Sequence, residues 1–274
     1  MIVVNEKILG SNDYHHWTSS KEKMSILEMM GQYSQKYEYQ TMSEIDFELE
    51  MRVQIMKAAV ALDRSDAEFT TLRTSICNPR YWMRHPSGAF IIRDDVPPHA
   101  GLTDIFISGK KYAFECATAM VIIFYKAILE TLGKNVFDEL FAGLFLYDWQ
   151  HDQDLDLQLH SGRDYLPGDC VYFKNPAVNP KTPYWRGENG IMMGKNLFFG
   201  HGMGMRTSQF IIKFLNSKRL PYSQEPAYLT TDITRMNFQY LRQFAQSGPR
   251  YPSSLPSQPS NLVRAEIGSR TYIT

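Results

Sequence analysis

The chain is short of cysteine. It has three in 274 residues, Cys77, Cys116 and Cys170, and no Cys-x-x-Cys pair. So sparse and odd a set excludes a disulfide scaffold and a Cys-rich zinc site, and it points to a reducing or thiol-tolerant compartment. Excess charge is also absent. Lys+Arg and Asp+Glu number 29 each, so the formal net charge is zero. That removes the electrostatic footprint of a strongly basic nucleic-acid binder and of an acidic solvating tail. There is no long hydrophobic run. The most apolar stretch, from Ala117 to Tyr125, is interrupted by Lys126, far short of the ~20 residues that span a bilayer. The opening Met-Ile-Val-Val-Asn-Glu-Lys lacks the basic and apolar regions of a signal peptide. The expectation is a protein made and kept without export, with neither membrane nor nucleic acid as partner.

Familiar site motifs are missing as well. There is no HExxH, no GxxxxGK[ST] and no GxSxG. Gly200-His201-Gly202-Met203-Gly204 is glycine-rich without the GxGxxG spacing of a phosphate cradle. Asp152, Asp154 and Asp156 begin like a calcium loop. Leu157 and Arg163, however, stand where glycine and glutamate are needed, so a solvated acidic loop is expected. His15-His16 has no partner at metal-ligand spacing and reads as a surface pair. No metal site is expected.

What is there suits a packed protein. Apolar residues make up 43% and charged residues 21%, close to globular averages. Aromatics reach 13%, enough for a large core or an aromatic-lined site. A helix is predicted over 22–30, entered at Ser20 and stopped by Gly31. Another begins at Ser43-Glu44-Ile45-Asp46 and buries Ile45, Leu49, Val53, Met56 and Val60. Ser65-Asp66-Ala67-Glu68 reads as a capping box that opens a helix through about residue 72. Tyr81, Met83, Phe90 and Ile92 alternate around Pro86-Ser87-Gly88, a hairpin ended by Pro97-Pro98. A helix from Cys116 to Leu132, closed by Gly133, has almost no polar face and belongs in the centre.

After a short helix over 136–141, short apolar runs at 144–147, 169–174, 190–193, 197–201 and 227–231 read as strands, with a helix at 209–215. The fold class is α+β: a buried helix packed on a mostly antiparallel sheet, with additional N-terminal helices. One catalytic domain is expected over 1–246, helical to about 78. The Pro/Ser-rich tail over 247–274 is expected to be disordered.

Cys116 is the residue that matters. At a helix start, free N–H groups and the dipole stabilise an anion, so a lowered thiol pKa and a nucleophile are expected. Position alone still favours a small buried core residue, because free cysteine is often buried. Two features reverse that balance. Glu115 precedes it, and Leu166-Pro167-Gly168-Asp169-Cys170-Val171-Tyr172-Phe173, Glu188-Asn189-Gly190-Ile191 and Phe198-Phe199-Gly200-His201 follow downstream. Along residues 112–204 this order resembles papain-like hydrolases of the NlpC type, except that Glu188 stands where those enzymes place the histidine base.

That departure narrows the resemblance. Tyr112-Ala113-Phe114-Glu115-Cys116-Ala117-Thr118-Ala119, Tyr147-Asp148-Trp149, Tyr172-Phe173-Lys174-Asn175-Pro176 and Trp185-Arg186-Gly187-Glu188-Asn189 resemble the spore-coat transglutaminases of bacilli. Phe47-Glu48-Leu49, Tyr81-Trp82 and Ala227-Tyr228-Leu229 do so as well. The likeness runs over about residues 1–243. It implies a papain-like core and a protein-glutamine γ-glutamyltransferase. Such an enzyme joins a glutamine side chain to a lysine amine as an isopeptide and releases ammonia, without calcium or any other cofactor. It further implies Cys116 as nucleophile, Glu188 as its acid/base partner and Glu115 as a second carboxylate able to replace it in part. Coat proteins are implied as glutamine and lysine substrates, the mother-cell cytoplasm and then the spore coat as the location, and a monomer as the working form.

Trp149, Trp185, Tyr172 and Phe69 are candidates for the wall of a narrow apolar passage that favours aminolysis over hydrolysis. Ordinary core packing accounts equally well for Tyr172 and Phe69. His201 is either an auxiliary base or a structural residue. Cys77 and Cys170 read as inert. Two other readings stay open: a peptidase or amidase that sends the thioester to water, and a non-catalytic coat scaffold.

Overall fold

The computed structural model describes residues 1–10, 13–14, 18–246 and 262–263. The His15-His16 pair and almost all of the Pro/Ser-rich tail lie outside these residues. The chain opens with β1 (Ile2–Val4), β2 (Lys7–Ile8), α1 (Lys21–Gln32) and β3 (Tyr37–Tyr39). β1 pairs antiparallel with β2 and parallel with β3. Ser20 caps α1 as expected, its hydroxyl accepting from the Lys23 N–H, but the helix runs through Gly31 rather than stopping there. Burial of Ile26, Leu27 and Met30 outweighs the modest cost of one glycine.

The next helix, α2 (Met42–Asp63), is capped by Thr41, two residues before Ser43. Thr41 accepts from the Glu44 N–H, and the Glu44 carboxylate accepts from the Gln40 N–H. One stripe of α2, with Ile45, Leu49 and Val53, packs on the N-terminal sheet. Another, with Met51, Ile55 and Leu62, enters the main core.

The expected helix after Ser65 does not form. The Ser65 hydroxyl is taken up at the end of α2, donating to the Leu62 carbonyl, and Asp66 has a left-handed φ of 64°. The chain then enters β4 (Glu68–Phe69) and a single 3₁₀ turn over Leu72–Thr74. Strand pairing wins because the Glu68 and Thr70 N–H groups reach the Tyr112 and Phe114 carbonyls.

The predicted hairpin is present as β5 (Trp82–Arg84) and β6 (Phe90–Ile92). Pro97-Pro98 does more than end it, since Pro98 is the first residue of α3 (Pro98–Ile107). Proline suits that position because its missing N–H would have no helical partner there. β7 (Ala113–Phe114), parallel to β4, leads into α4 (Cys116–Leu132). Every residue of α4 from Ala117 to Leu129 except Lys126 is buried, and Gly133 ends the helix with φ 83°. α5 (Lys134–Leu140), β8 (Phe145–Leu146) and β9 (His151–Asp152) follow.

The remaining strands are β10 (Leu157–Ser161), β11 (Cys170–Lys174), β12 (Gly187–Gly194), β13 (Leu197–Gly200), β14 (Gly204–Thr207) and β15 (Tyr228–Met236). They form one antiparallel sheet in the order β10-β15-β11-β12-β13-β14. Alternation divides its faces. Cys170, Tyr172, Ile191 and Phe199 join the core of α4. Val171, Phe173, Met192 and Phe198 meet Ile211 and Leu215 of α6 (Ser208–Asn216) on the other side. The α+β architecture is therefore as expected. β1–β3, α3, β10, β14 and α7 (Phe238–Gln246) are additions to the sequence reading.

The Leu166-Pro167-Gly168-Asp169 turn is a clamp. Buried Asp169 accepts from Arg52 of α2, from Arg235 of β15 and from the Leu166 N–H. Burial alone would raise its carboxyl, but Arg235 and Arg52 hold it below the ordinary range. The acidic run at 152–156 also departs from expectation. It is half-buried rather than solvated, and its carboxylates cap a 3₁₀ turn and accept from Asn237, just before α7, and from Tyr240 within it.

Candidate active site

β7 and α4 deliver Cys116 to a pocket of about 310 Å³. Its wall includes Phe69, Glu115, Asp148, Trp149, Tyr172 and Asn189. Glu115 is the cap of α4. Its Oε2 accepts from the Ala117 N–H at 2.9 Å, and its Oε1 accepts from the Thr118 N–H at 2.7 Å and the Thr118 hydroxyl at 3.0 Å. The same Oε2 lies 3.6 Å from Cys116 Sγ and accepts from the thiol. From the sheet side, the Asn189 amide donates to Sγ at 3.5 Å.

Glu188 and Asn189 are neighbours on β12, which sends adjacent side chains to opposite faces. Asn189 meets the thiol. Glu188 is 1% exposed, is not on the pocket wall, and neither of its carboxyl oxygens has a hydrogen-bond partner among the described residues. A Cβ at Gly200 would stand 2.7 Å from Glu188 Oε1, so any larger residue on the adjacent strand would force this carboxyl to move.

The electrostatics reverse one expectation. The Cys116 thiol is pushed well above its ordinary pKa, first by burial, then by the charges of Glu115 and Glu188. The helix dipole does not prevail because Glu115 already occupies the free N–H groups with a carboxylate. The resting thiol therefore keeps its proton at neutral pH. Glu188 is also raised, by burial first and then by Glu115.

The sequence candidates are divided by the structure. Phe69, Trp149 and Tyr172 line the pocket. Trp185 is not on the wall but stacks on Phe69, with ring centroids 5.4 Å apart. His201 is buried behind Phe114, stacked on its ring at 4.7 Å, with Nε2 3.2 Å from the Glu68 carbonyl oxygen. Burial pushes its pKa down to about 4, leaving it neutral and without contact to the thiol. Cys170 is buried and partly exposed Cys77 sits away from the pocket, and burial raises both thiols.

Sequence reasoning passed over Asn189 and Asp148. Both lie inside segments that carried the family resemblance, Trp185–Asn189 and Tyr147–Trp149. Their only signal was adjacency to a named residue. Asp148 is buried, and its backbone N–H donates to the Thr118 hydroxyl. That bond ties the far wall of the pocket to the first turn of α4. Among the described residues no helix is long and apolar enough to cross a membrane.

Comparison with known proteins places the whole chain in one family. The profile of the family described as protein-glutamine gamma-glutamyltransferase matches residues 1–245. A Bacillus cereus protein of that name is 42% identical over the whole of both chains. A Bacillus anthracis protein of the same name is 41% identical, also over both entire chains. Among solved structures, a transglutaminase from Geobacillus stearothermophilus without its C-terminal extension is 48% identical, with a TM-score of 0.73. That match covers 76% of this chain and all of the other. The chain belongs to the protein-glutamine gamma-glutamyltransferase family and is a transglutaminase.

Proposed function

We propose that this transglutaminase works through a thioester on Cys116, with Glu188 as the principal acid/base and Glu115 as the supporting carboxylate. The observation that carries the reading is a thiol in a pocket, touching one carboxylate, with a second buried carboxyl on the neighbouring strand β12 that acts on it electrostatically and has no hydrogen-bond partner among the described residues. An unpartnered buried carboxyl is costly to keep, which makes a working role the better account of it.

In the acylation step Sγ attacks the γ-carboxamide carbon of a glutamine while the thiol proton passes to a carboxylate. The oxyanion is stabilised by the Cys116 N–H and the Asn189 amide. As the C–N bond breaks, a protonated glutamate supplies one proton to the departing NH₂, and ammonia leaves. A lysine then attacks the thioester as a neutral amine. It gives one proton to the carboxylate, the C–S bond breaks and the sulfur regains its proton. One proton enters and one leaves in each half-reaction, so the enzyme is restored. Phe69, Trp149, Tyr172 and Trp185 shield the thioester from water, which favours the amine over hydrolysis.

The proposed substrates are coat proteins met in the mother-cell cytoplasm and spore coat, supported by the resemblance to coat enzymes. No calcium is required, residues 1–246 act as one catalytic domain, and the enzyme works as a monomer.

The test is incorporation of a labelled alkylamine into a glutamine-rich protein without calcium. Cys116→Ala is expected to abolish labelling. Glu188→Ala is expected to reduce it strongly, on the order of 10²-fold, and Glu115→Ala less. Full activity in Glu188→Ala together with loss in His201→Ala would transfer the base role to the histidine. Ammonia release without labelling would make water the acceptor and the protein an amidase.

A further inference from the structure

The pocket mouth carries two arginines that the reaction does not use. Arg73 and Arg186 both line the pocket and both are exposed. They come from different segments, Arg73 from the 3₁₀ turn after β4 and Arg186 from the turn before β12. Each is mounted on a pinned backbone. Arg84 donates to the Arg73 and Ser75 carbonyls at 2.8 and 2.7 Å. The Arg186 carbonyl accepts from the Asn175 N–H at 2.8 Å, and the neighbouring Trp185 carbonyl accepts from the Asn175 side chain at 3.0 Å. Yet neither guanidinium makes an ion pair, a side-chain hydrogen bond or a ring contact with another described residue. Other arginines here are engaged, the buried Arg52, the half-buried Arg235 and even the exposed Arg84.

An arginine on a fixed backbone with its guanidinium left unpaired presents a planar five-donor fork suited to a carboxylate. The acyl donor's own glutamine side chain is neutral, so a site that must choose among glutamines has to read their neighbours. A lysine acceptor arrives as a cation and gains nothing from this rim. We propose that Arg73 and Arg186 select the acyl donor, favouring glutamines flanked by aspartate or glutamate. This rests on the Cys116 pocket being the site of acylation, and the test separates the two claims.

Three peptides would be compared, identical except that the residues flanking one glutamine are aspartate and glutamate, serine, or lysine. The readout is kcat/KM for labelled-amine incorporation at low ionic strength. The expected order is acidic, then neutral, then basic, with about two- to fivefold between steps for each exposed contact. The spread should shrink at ~1 M salt, where the screening length falls to about 3 Å. In Arg73→Glu/Arg186→Glu the order should invert. Arg73→Gln/Arg186→Gln should flatten it, and that variant serves if the charge reversal disturbs folding. A merely structural role would lower all three rates by the same factor and leave the ratios alone.

Equal rates for the three peptides in the unaltered enzyme would overturn the proposal, and so would an acidic preference that survives in the Gln variant. Activity retained by Cys116→Ala on all three peptides would instead overturn the site itself.

Discussion

Cys116 and Glu188 illustrate how a residue's type and its surroundings can pull in opposite directions. A thiol at a helix start should ionise easily, yet this one is held neutral by burial and by two carboxylates. Reactivity must then come from moving the proton at the moment of attack, not from a standing thiolate. Glu188 carries a stability cost for the same reason. Its carboxyl is raised in the folded state relative to about 4.3 in the unfolded chain. The folded protein therefore binds more protons than the unfolded one above pH 4.3, and stability falls as pH rises through that window. Glu188→Gln keeps the shape without the charge. It is expected to lose activity and to gain on the order of 1–3 kcal/mol at pH 7. The gain should fade toward pH 4, which denaturant titrations at the two pH values would show. No gain at pH 7 would mean that the buried carboxyl is not under strain.

Elements explain why these residues meet. In the packing of β13 on β12 the Glu188 carboxyl occupies the space a side chain at position 200 would take. Gly200→Ala should therefore push Glu188 aside, with kcat falling by roughly 10²-fold while the far-UV spectrum is unchanged. Normal turnover in that variant would show that Glu188 can work from another position. The Asp169 clamp acts at the same scale, holding α2, the turn before β11 and β15 together. Removing it leaves Arg52, 1% exposed, without its main counter-charge. Asp169→Ala should cost about 3–5 kcal/mol by denaturant unfolding. Because the Asp169 carboxyl is depressed in the fold, its contribution is present above about pH 4 and is lost as pH falls through the lower folded value.

At the scale of the whole molecule, the pocket sits where the N-terminal segment, the central helix and the sheet converge. Phe69 comes from β4, Trp149 from the turn before β9, and Tyr172 and Asn189 from the sheet. The 152–156 carboxylates are committed to caps and to residues just before and within α7. Amine incorporation is accordingly expected to be unchanged, within about twofold, when a chelator replaces calcium. A loss on chelation that calcium restores would contradict this.

The sequence by itself determined the elements whose signals are local. The central helix from Cys116 to Leu132 was legible because nearly every side chain is apolar and Gly133 closes it. The β5–β6 hairpin was legible from its alternation, and the proposed nucleophile and its two carboxylates rest on a family resemblance carried by short segments of sequence. Where a local signal was shared between two structures, the sequence could not choose. Ser65-Asp66-Ala67-Glu68 has the letters of a capping box, but pairing with a strand some 45 residues later decided its fate. The state of the thiol, the orphaned carboxyl of Glu188, the contact from Asn189 and the rim of arginines belong to the tertiary structure alone. Each depends on distances between segments far apart in the chain. Burial and Coulomb interactions are set by those distances, and no local pattern encodes them.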